Sequence, residues 1–131
     1  MNFKIDTKEK FTVITPVSDV LSDKLTAELI QIATSCLQKE IRNLVVNLQN
    51  VFSITETSAS QLVKLGQTFQ ENNASFVICT LQPPVEEQLE KMDLLDELNV
   101  TPTESEAWDI VQMEEIEREL LDNDDFEFSE E

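Results

Sequence analysis

The spacing of apolar positions changes several times along the chain, and each spacing predicts a different element. Residues 3–5 and 11–13 alternate apolar with polar side chains on either side of the polar stretch 6–10. Alternation with a period of two is typical of half-buried strands. The segment therefore predicts a β-hairpin or two adjacent edge strands, and Pro16 ends the second of them.

Two later segments carry apolar residues at spacings of three and four, which predicts amphipathic helices. The first helix covers residues 25–37, and Ser22 or Asp23 caps its start. The second covers residues 59–69 and includes Gly66, the single glycine of the chain. A glycine on an apolar helix face predicts a close approach of this helix to a sheet, at a cost of about 1 kcal/mol relative to alanine.

Two further helices are predicted in the last third of the chain. Pro83 and Pro84 open the third helix, because proline is favoured at the first helical positions. A capping box over residues 103–106 opens the fourth. The inward faces are predicted to consist of Val85, Leu89 and Met92 in the third helix, and of Ala107, Ile110, Val111, Ile116 and Leu120 in the fourth.

Short apolar runs lie between the helices at residues 44–48 and 75–80, and residues 98–100 offer a last short strand. Runs that are apolar throughout are typical of parallel strands buried on both faces. The order predicts an α/β fold, with a mixed sheet of four to five strands and about four helices packed on it. We expect one domain over residues 1–121 and a disordered acidic tail over residues 122–131.

The chain of 131 residues has a net charge of −18, which restricts its partners. A surface this acidic repels nucleic acid phosphates and anionic lipid headgroups. We therefore expect neither nucleic acid binding nor direct membrane contact. A protein with a basic patch is the expected partner. No run approaches the roughly 18 apolar residues that a membrane span needs, and no signal-peptide core is present. These features predict a cytoplasmic location.

The side chains offer little for catalysis. Histidine is absent, which excludes histidine-based acid–base and nucleophilic mechanisms and most zinc sites. Cys36 and Cys79 fit buried free thiols better than a disulfide or a redox pair. Trp108, the single tryptophan, fits core packing better than a partner anchor. We therefore expect no enzyme activity, no metal and no cofactor.

The stretch Leu44-Val45-Val46-Asn47-Leu48-Gln49-Asn50-Val51, leading through Ile54 into a helix, resembles the most specific motif of the STAS domain. This is the fold of bacterial anti-anti-sigma factors, also called anti-sigma factor antagonists. Asp23 with Thr26-Ala27 resembles the family's entry to its first helix. The run from Cys79 to Val85 and the pair Glu106-Ala107 resemble its later strand–helix turn and last helix. The resemblance covers roughly residues 3–117.

The resemblance implies a module without catalytic activity that docks on an anti-sigma factor or a related serine/threonine kinase. The contact would centre on the strand–helix junction, residues 53–60. Aligned through Leu48 and Ile54, the family's phosphorylated serine falls on Glu56. Hydroxyls that could accept a phosphate in its place belong to Thr55, Thr57 and Ser58. Expected partner contacts come from Asp23, Ser53, Thr55, Glu56, Thr57 and Ser60.

Two interpretations of Glu56 remain open at this point. The carboxylate is either a permanent partial mimic of phosphoserine, or part of a capping box in which Ser53 is the N-cap and Glu56 the third helical residue. A different function is also compatible with a missing phosphorylatable serine. In that alternative, the chain is a STAS adaptor subunit of a membrane transport ATPase, as in lipid-transport complexes.

Overall fold

A computed structural model describes residues 3–39 and 42–122 of the chain. The predicted acidic tail therefore lies outside the described residues, apart from Asp122, which still belongs to the last helix. Along the described part the elements are β1 (Phe3–Thr7), β2 (Thr12–Pro16), β3 (Val20–Leu21), α1 (Asp23–Cys36), β4 (Leu44–Asn47), β5 (Ser53–Ile54), α2 (Glu56–Glu71), β6 (Phe76–Cys79), α3 (Pro83–Lys91), β7 (Val100–Thr101) and α4 (Glu104–Asp122). A single 3₁₀ turn, Leu95–Glu97, joins α3 to β7.

Five strands form one mixed sheet in the order β1-β2-β4-β6-β7. The first two form the predicted antiparallel hairpin, while β2, β4, β6 and β7 run parallel to one another. Every residue of β4 and β6 is buried, which confirms that these apolar runs are central strands. The predicted α/β class, with four to five strands and four helices, is confirmed.

The two faces of the sheet are covered unequally. Helices α1, α2 and α3 pack on one face, over the side chains of Leu44, Val46 and Ile78. Alternate strand residues point the other way, so Val45 and Val77 belong to a second cluster beneath α4. The predicted role of Trp108 is confirmed there, because its ring stacks on Phe11 with the ring centroids 5.1 Å apart. Gly66 also lies as predicted, since a Cβ at this position would meet Phe76 Cδ2 of β6 at 3.3 Å.

The predicted inward face of α4 is wrong beyond Val111. Ala107 and Val111 are buried, but Ile116 and Leu120 are exposed. The reason is that α4 extends past the apolar part of the sheet. Its later inward positions, Glu114, Glu115 and Arg118, meet polar groups instead.

These polar contacts tie α4 to the chain segments that enter β4 and β6. Glu115 Oε2 accepts a hydrogen bond from Asn43 Nδ2 at 2.8 Å, and Glu114 Oε1 accepts one from Ser75 Oγ at 2.5 Å. Arg118 donates to Ser75 Oγ and to Asn43 Oδ1, each at 3.3 Å. The second half of α4 is thus fixed by hydrogen bonds, and its apolar residues point outward.

The structure also contains two strands that the sequence pattern did not predict. The two-residue strands β3 and β5 pair in parallel as a separate small sheet, with Val20 opposite Ser53 and Leu21 opposite Ile54. The last strand of the main sheet begins at Val100, two residues later than predicted. Of these differences, the β3–β5 pair matters most, because it sets the positions of two helix starts.

Candidate functional site

The small sheet brings the amino-terminal ends of α1 and α2 side by side. Helix α1 begins two residues after β3, and α2 begins two residues after β5. The backbone N–H of Thr55 also donates to the Leu21 carbonyl, at 3.4 Å. From the neighbouring helix α3, Gln88 Oε1 accepts a hydrogen bond from the Ile54 N–H at 2.9 Å. Both helices therefore begin at the same edge of the molecule.

Each of these helices has its own side-chain cap. Ser22 Oγ accepts from the Leu25 N–H at 3.2 Å, as one of the two predicted caps of α1. Thr55 Oγ1 accepts from the Ser58 N–H at 3.1 Å and caps α2. The predicted capping box of Ser53 and Glu56 is therefore wrong. Pairing with β3 keeps Ser53 extended, so α2 starts later and Glu56 is its first residue.

A chain of hydroxyl groups connects the two helix starts. Thr55 Oγ1 donates to Asp23 Oδ1 at 2.5 Å and lies 2.8 Å from Ser58 Oγ. Ser58 Oγ in turn accepts from Thr26 Oγ1 at 2.7 Å. The Thr26 and Ser58 side chains are completely buried, while Asp23 is at the surface. The network runs from the surface into the contact between α1 and α2.

The residues predicted to form the site differ in their exposure to solvent. Asp23, Glu56, Thr57 and Ser60 are exposed. Ser53 and Thr55 are half-buried, and Ser58 is buried. Glu56 therefore lies at the exposed first turn of α2, as predicted. Of the three predicted phosphate acceptors, only Thr57 is exposed.

The sequence pattern missed an apolar part of this edge. Val20 and Phe52 are 41% and 50% exposed, and their backbones are near each other because Val20 pairs with Ser53, the residue after Phe52. The Phe52 N–H also donates to the Asp19 carbonyl at 2.8 Å. We call Val20 and Phe52 the apolar rim. Phe52 follows a polar turn, and an isolated aromatic residue there gave no periodic signal.

The described part of the chain offers no group of histidine, cysteine, aspartate and glutamate side chains arranged to hold a metal ion. In the same residues, every helix is too short or too polar to cross a membrane. Cys36 and Cys79 are free and buried, as predicted. Burial raises the pKa of both thiols. The exposed helix starts and the apolar rim form the candidate site.

Solved structures with the same fold include both small proteins and part of a transporter. Protein TM1081 of Thermotoga maritima superposes with a TM-score of 0.74 at 18% identity, covering 84% of this chain and 94% of that chain. The anti-sigma factor antagonist SpoIIAA in its unphosphorylated form gives 0.61 at 17% identity, covering 84% and 96%. The murine anion transporter Slc26a9 gives 0.67 at 16% identity, covering 82% of this chain and 18% of that chain.

At these identities the structural likeness shows the fold alone. No curated protein sequence matches the chain as a relative. The family is shown by the sequence itself, because residues 3–107 match the STAS domain family. That match spans both helix starts, the apolar rim and the whole five-stranded sheet. The chain therefore belongs to the STAS domain family.

Proposed function

We propose that this chain is a non-catalytic interaction module that docks on an anti-sigma factor or a serine/threonine kinase. The docking surface would consist of the strand–helix junction, residues 53–60, and the start of α1. The observation that carries this proposal is the pairing of the two helix starts, held together by the hydroxyl network. The likeness to the antagonist SpoIIAA supports the class of partner.

The surface combines an apolar rim with acidic and hydroxyl groups. Phe52 supplies a half-exposed aromatic ring, the type of residue that commonly carries binding energy. Asp23 and Glu56 are exposed at the starts of α1 and α2. A partner with an apolar pocket bordered by lysine or arginine side chains would complement both features. The net charge of −18 would speed the approach of such a partner at low ionic strength.

Thr57 is the proposed phosphate acceptor of this surface. Its side chain is exposed at the second residue of α2, where a phosphate is favoured by the helix dipole. The Thr55 hydroxyl is held by Asp23, and Ser58 is buried. Glu56 adds a fixed negative charge next to Thr57, which would weaken the preference for a second charge. In the unmodified protein, Glu56 would act as a permanent partial mimic of phosphoserine.

Docking is tested by measuring affinity for the anti-sigma factors or serine/threonine kinases encoded with this protein. Phe52→Ser and Glu56→Lys should each weaken binding by about tenfold or more. Ile5→Ser is the matched control, because Ile5 is similarly exposed but lies on the outer strand β1. Equal affinities of wild type, Phe52→Ser and Glu56→Lys for a confirmed partner would refute the proposed surface.

Phosphorylation is tested by incubation with that kinase and ATP, followed by mass spectrometry. We expect phosphate on Thr57, its loss in Thr57→Val, and faster transfer in Glu56→Ser, where the neighbouring charge is removed. Phosphate on Ser60 alone, or none within residues 53–60 with an active kinase, would contradict this assignment.

A second candidate function is that of an adaptor subunit in a membrane transport ATPase complex. The observation that favours it is the likeness to Slc26a9, which shows this fold as part of a transporter chain. The two functions separate in affinity capture under native conditions. A transport ATPase retained at stoichiometric amounts would support the adaptor, and a soluble kinase would support the antagonist.

A further inference from the structure

The second half of α4 carries an exposed apolar surface far from the helix starts described above. Met113, Ile116 and Leu120 are 60%, 56% and 53% exposed. Their spacings of three and four residues place them along one side of the helix. We call these three residues the α4 stripe.

The orientation of the stripe is fixed by the opposite side of the same helix. Val111 packs on the sheet, and Glu114 and Arg118 bond to the segment that enters β6. The helix cannot rotate to bury the stripe without breaking these contacts. The stripe also lies beyond Ala107, where the match to the STAS domain family ends. Its exposure is therefore not explained by the fold that the family shares.

Exposed carboxylates lie along the same side of α4 as the stripe. Asp109 precedes Met113 by one helical turn, and Glu117 follows it by one turn; both are exposed. Across its full length α4 contains eight acidic residues and one arginine, a net charge of −7. A second copy of this chain would bring an equally acidic helix against the stripe, and an anionic membrane surface would be repelled as well. The charge pattern selects a basic occupant.

We propose that the α4 stripe binds a basic amphipathic helix of another protein. The stripe spans seven residue steps, about 11 Å along the helix axis. Two turns of a partner helix, with apolar residues at positions i, i+3 or i+4, and i+7, match this length. Lysine or arginine residues bordering that apolar face would pair with Asp109 and Glu117. This binding surface is separate from the junction at residues 53–60, so either could exist without the other.

The experiment uses the full chain and a synthetic, fluorescent helical peptide of about five turns. The peptide carries leucine at the spacing given above, with lysine on both borders of the apolar face. Two comparison peptides replace either all lysines by glutamate or all leucines by serine. Affinity is measured by fluorescence anisotropy at about 0.15 M salt, where weak long-range attraction is screened.

We expect the leucine–lysine peptide to bind and both comparison peptides to bind at least about tenfold more weakly. The double variant Met113→Ser/Ile116→Ser should lower affinity by at least about tenfold. Glu117→Lys should lower affinity by more than the control variant does. The control is Ile5→Ser, which removes a similarly exposed residue elsewhere. Because all substituted side chains are exposed, folding should be unchanged, and circular dichroism checks this.

Three outcomes would overturn the proposal. Equal peptide affinity for wild type and Met113→Ser/Ile116→Ser would mean that the peptide attaches by charge alone. Equal binding of the glutamate-bordered peptide would mean that these carboxylates select nothing. A concentration-dependent dimer in analytical ultracentrifugation that Ile116→Ser abolishes would mean that the stripe joins two copies of this chain.

Discussion

The hydroxyl oxygens of Thr26 and Ser58 lie 2.7 Å apart, completely buried between α1 and α2. The two residues are separated by 32 positions in the chain, so their bond forms only when both helices are in place. It fixes the start of α2 against α1 directly beneath the exposed Glu56 and Thr57. The shape of the proposed docking surface thus depends on a bond in the interior.

Replacing Thr26 by valine keeps the shape of the side chain but removes this bond. Thr26→Val should lower the free energy of unfolding by about 1–2 kcal/mol, because a buried hydrogen bond is lost. Thr34→Val is the control on the same helix, since Thr34 is exposed, and it should change stability by less than about 0.5 kcal/mol. Urea denaturation of both variants measures the difference. Equal stabilities would mean that the bond contributes nothing.

Gly66 lies where α2 packs closely against Phe76 of the sheet. Gly66→Ala should be neutral or slightly stabilising, because alanine favours the helix by about 1 kcal/mol and Phe76 lines a groove into which its ring can shift. Gly66→Leu should lower the free energy of unfolding by about 2 kcal/mol or more, because the ring cannot yield that far. Thermal and urea denaturation test the pair. A strongly destabilised Gly66→Ala protein would show that the Phe76 ring is immobile.

Thr80 has a backbone φ of 58°, in the left-handed region that disfavours β-branched residues. Thr80→Gly should therefore raise the free energy of unfolding by about 0.5–1 kcal/mol, after allowance for the greater freedom of glycine in the unfolded chain. Asn73 has the same φ but is a residue that tolerates it, so Asn73→Gly should have little effect. Urea denaturation compares the two. An equal gain in both variants would exclude side-chain branching as the cause.

Burial raises the pKa of the Cys36 and Cys79 thiols. In the unfolded chain these thiols lose their protons above about pH 8.5, whereas the folded protein still holds them. Stability should therefore be unaffected by these groups at neutral pH and should fall as the pH rises above about 8.5. The Cys36→Ala/Cys79→Ala protein should lose less stability between pH 7.5 and 9.5 than wild type does. Parallel pH slopes of the two proteins would contradict this.

The main elements of the fold follow from patterns within single segments. The apolar runs of β4 and β6 and the periodic helices α1–α3 each carry enough residues to reveal their period. The strands β3 and β5 do not, because two residues cannot show a period and their pairing is a long-range contact. The sequence pattern consequently predicts the N-cap of α2 at Ser53, whereas the structure has it at Thr55.

The exposure of the α4 stripe differs from the prediction for another reason. A helical period shows that Ile116 and Leu120 share one side of a helix, but not whether that side faces the sheet. In this structure the direction is decided by Asn43 and Ser75, polar residues that bind the opposite side of α4. The family motif predicts Glu56 at the exposed start of α2, where the structure has it, whereas the apolar rim requires coordinates.

One face of the main sheet is covered by α4 alone, the last element of the described chain. During synthesis, the side chains of Phe11, Val45 and Val77 therefore stay exposed to water until the residues beyond 103 have been made and α4 can form. Until then the nascent chain exposes a continuous apolar surface, which can cause self-association. A fragment that stops before Glu104 should bind the dye ANS and precipitate, whereas the full chain should not; a clear, dye-free solution of the fragment would show that α4 is dispensable for protecting this face.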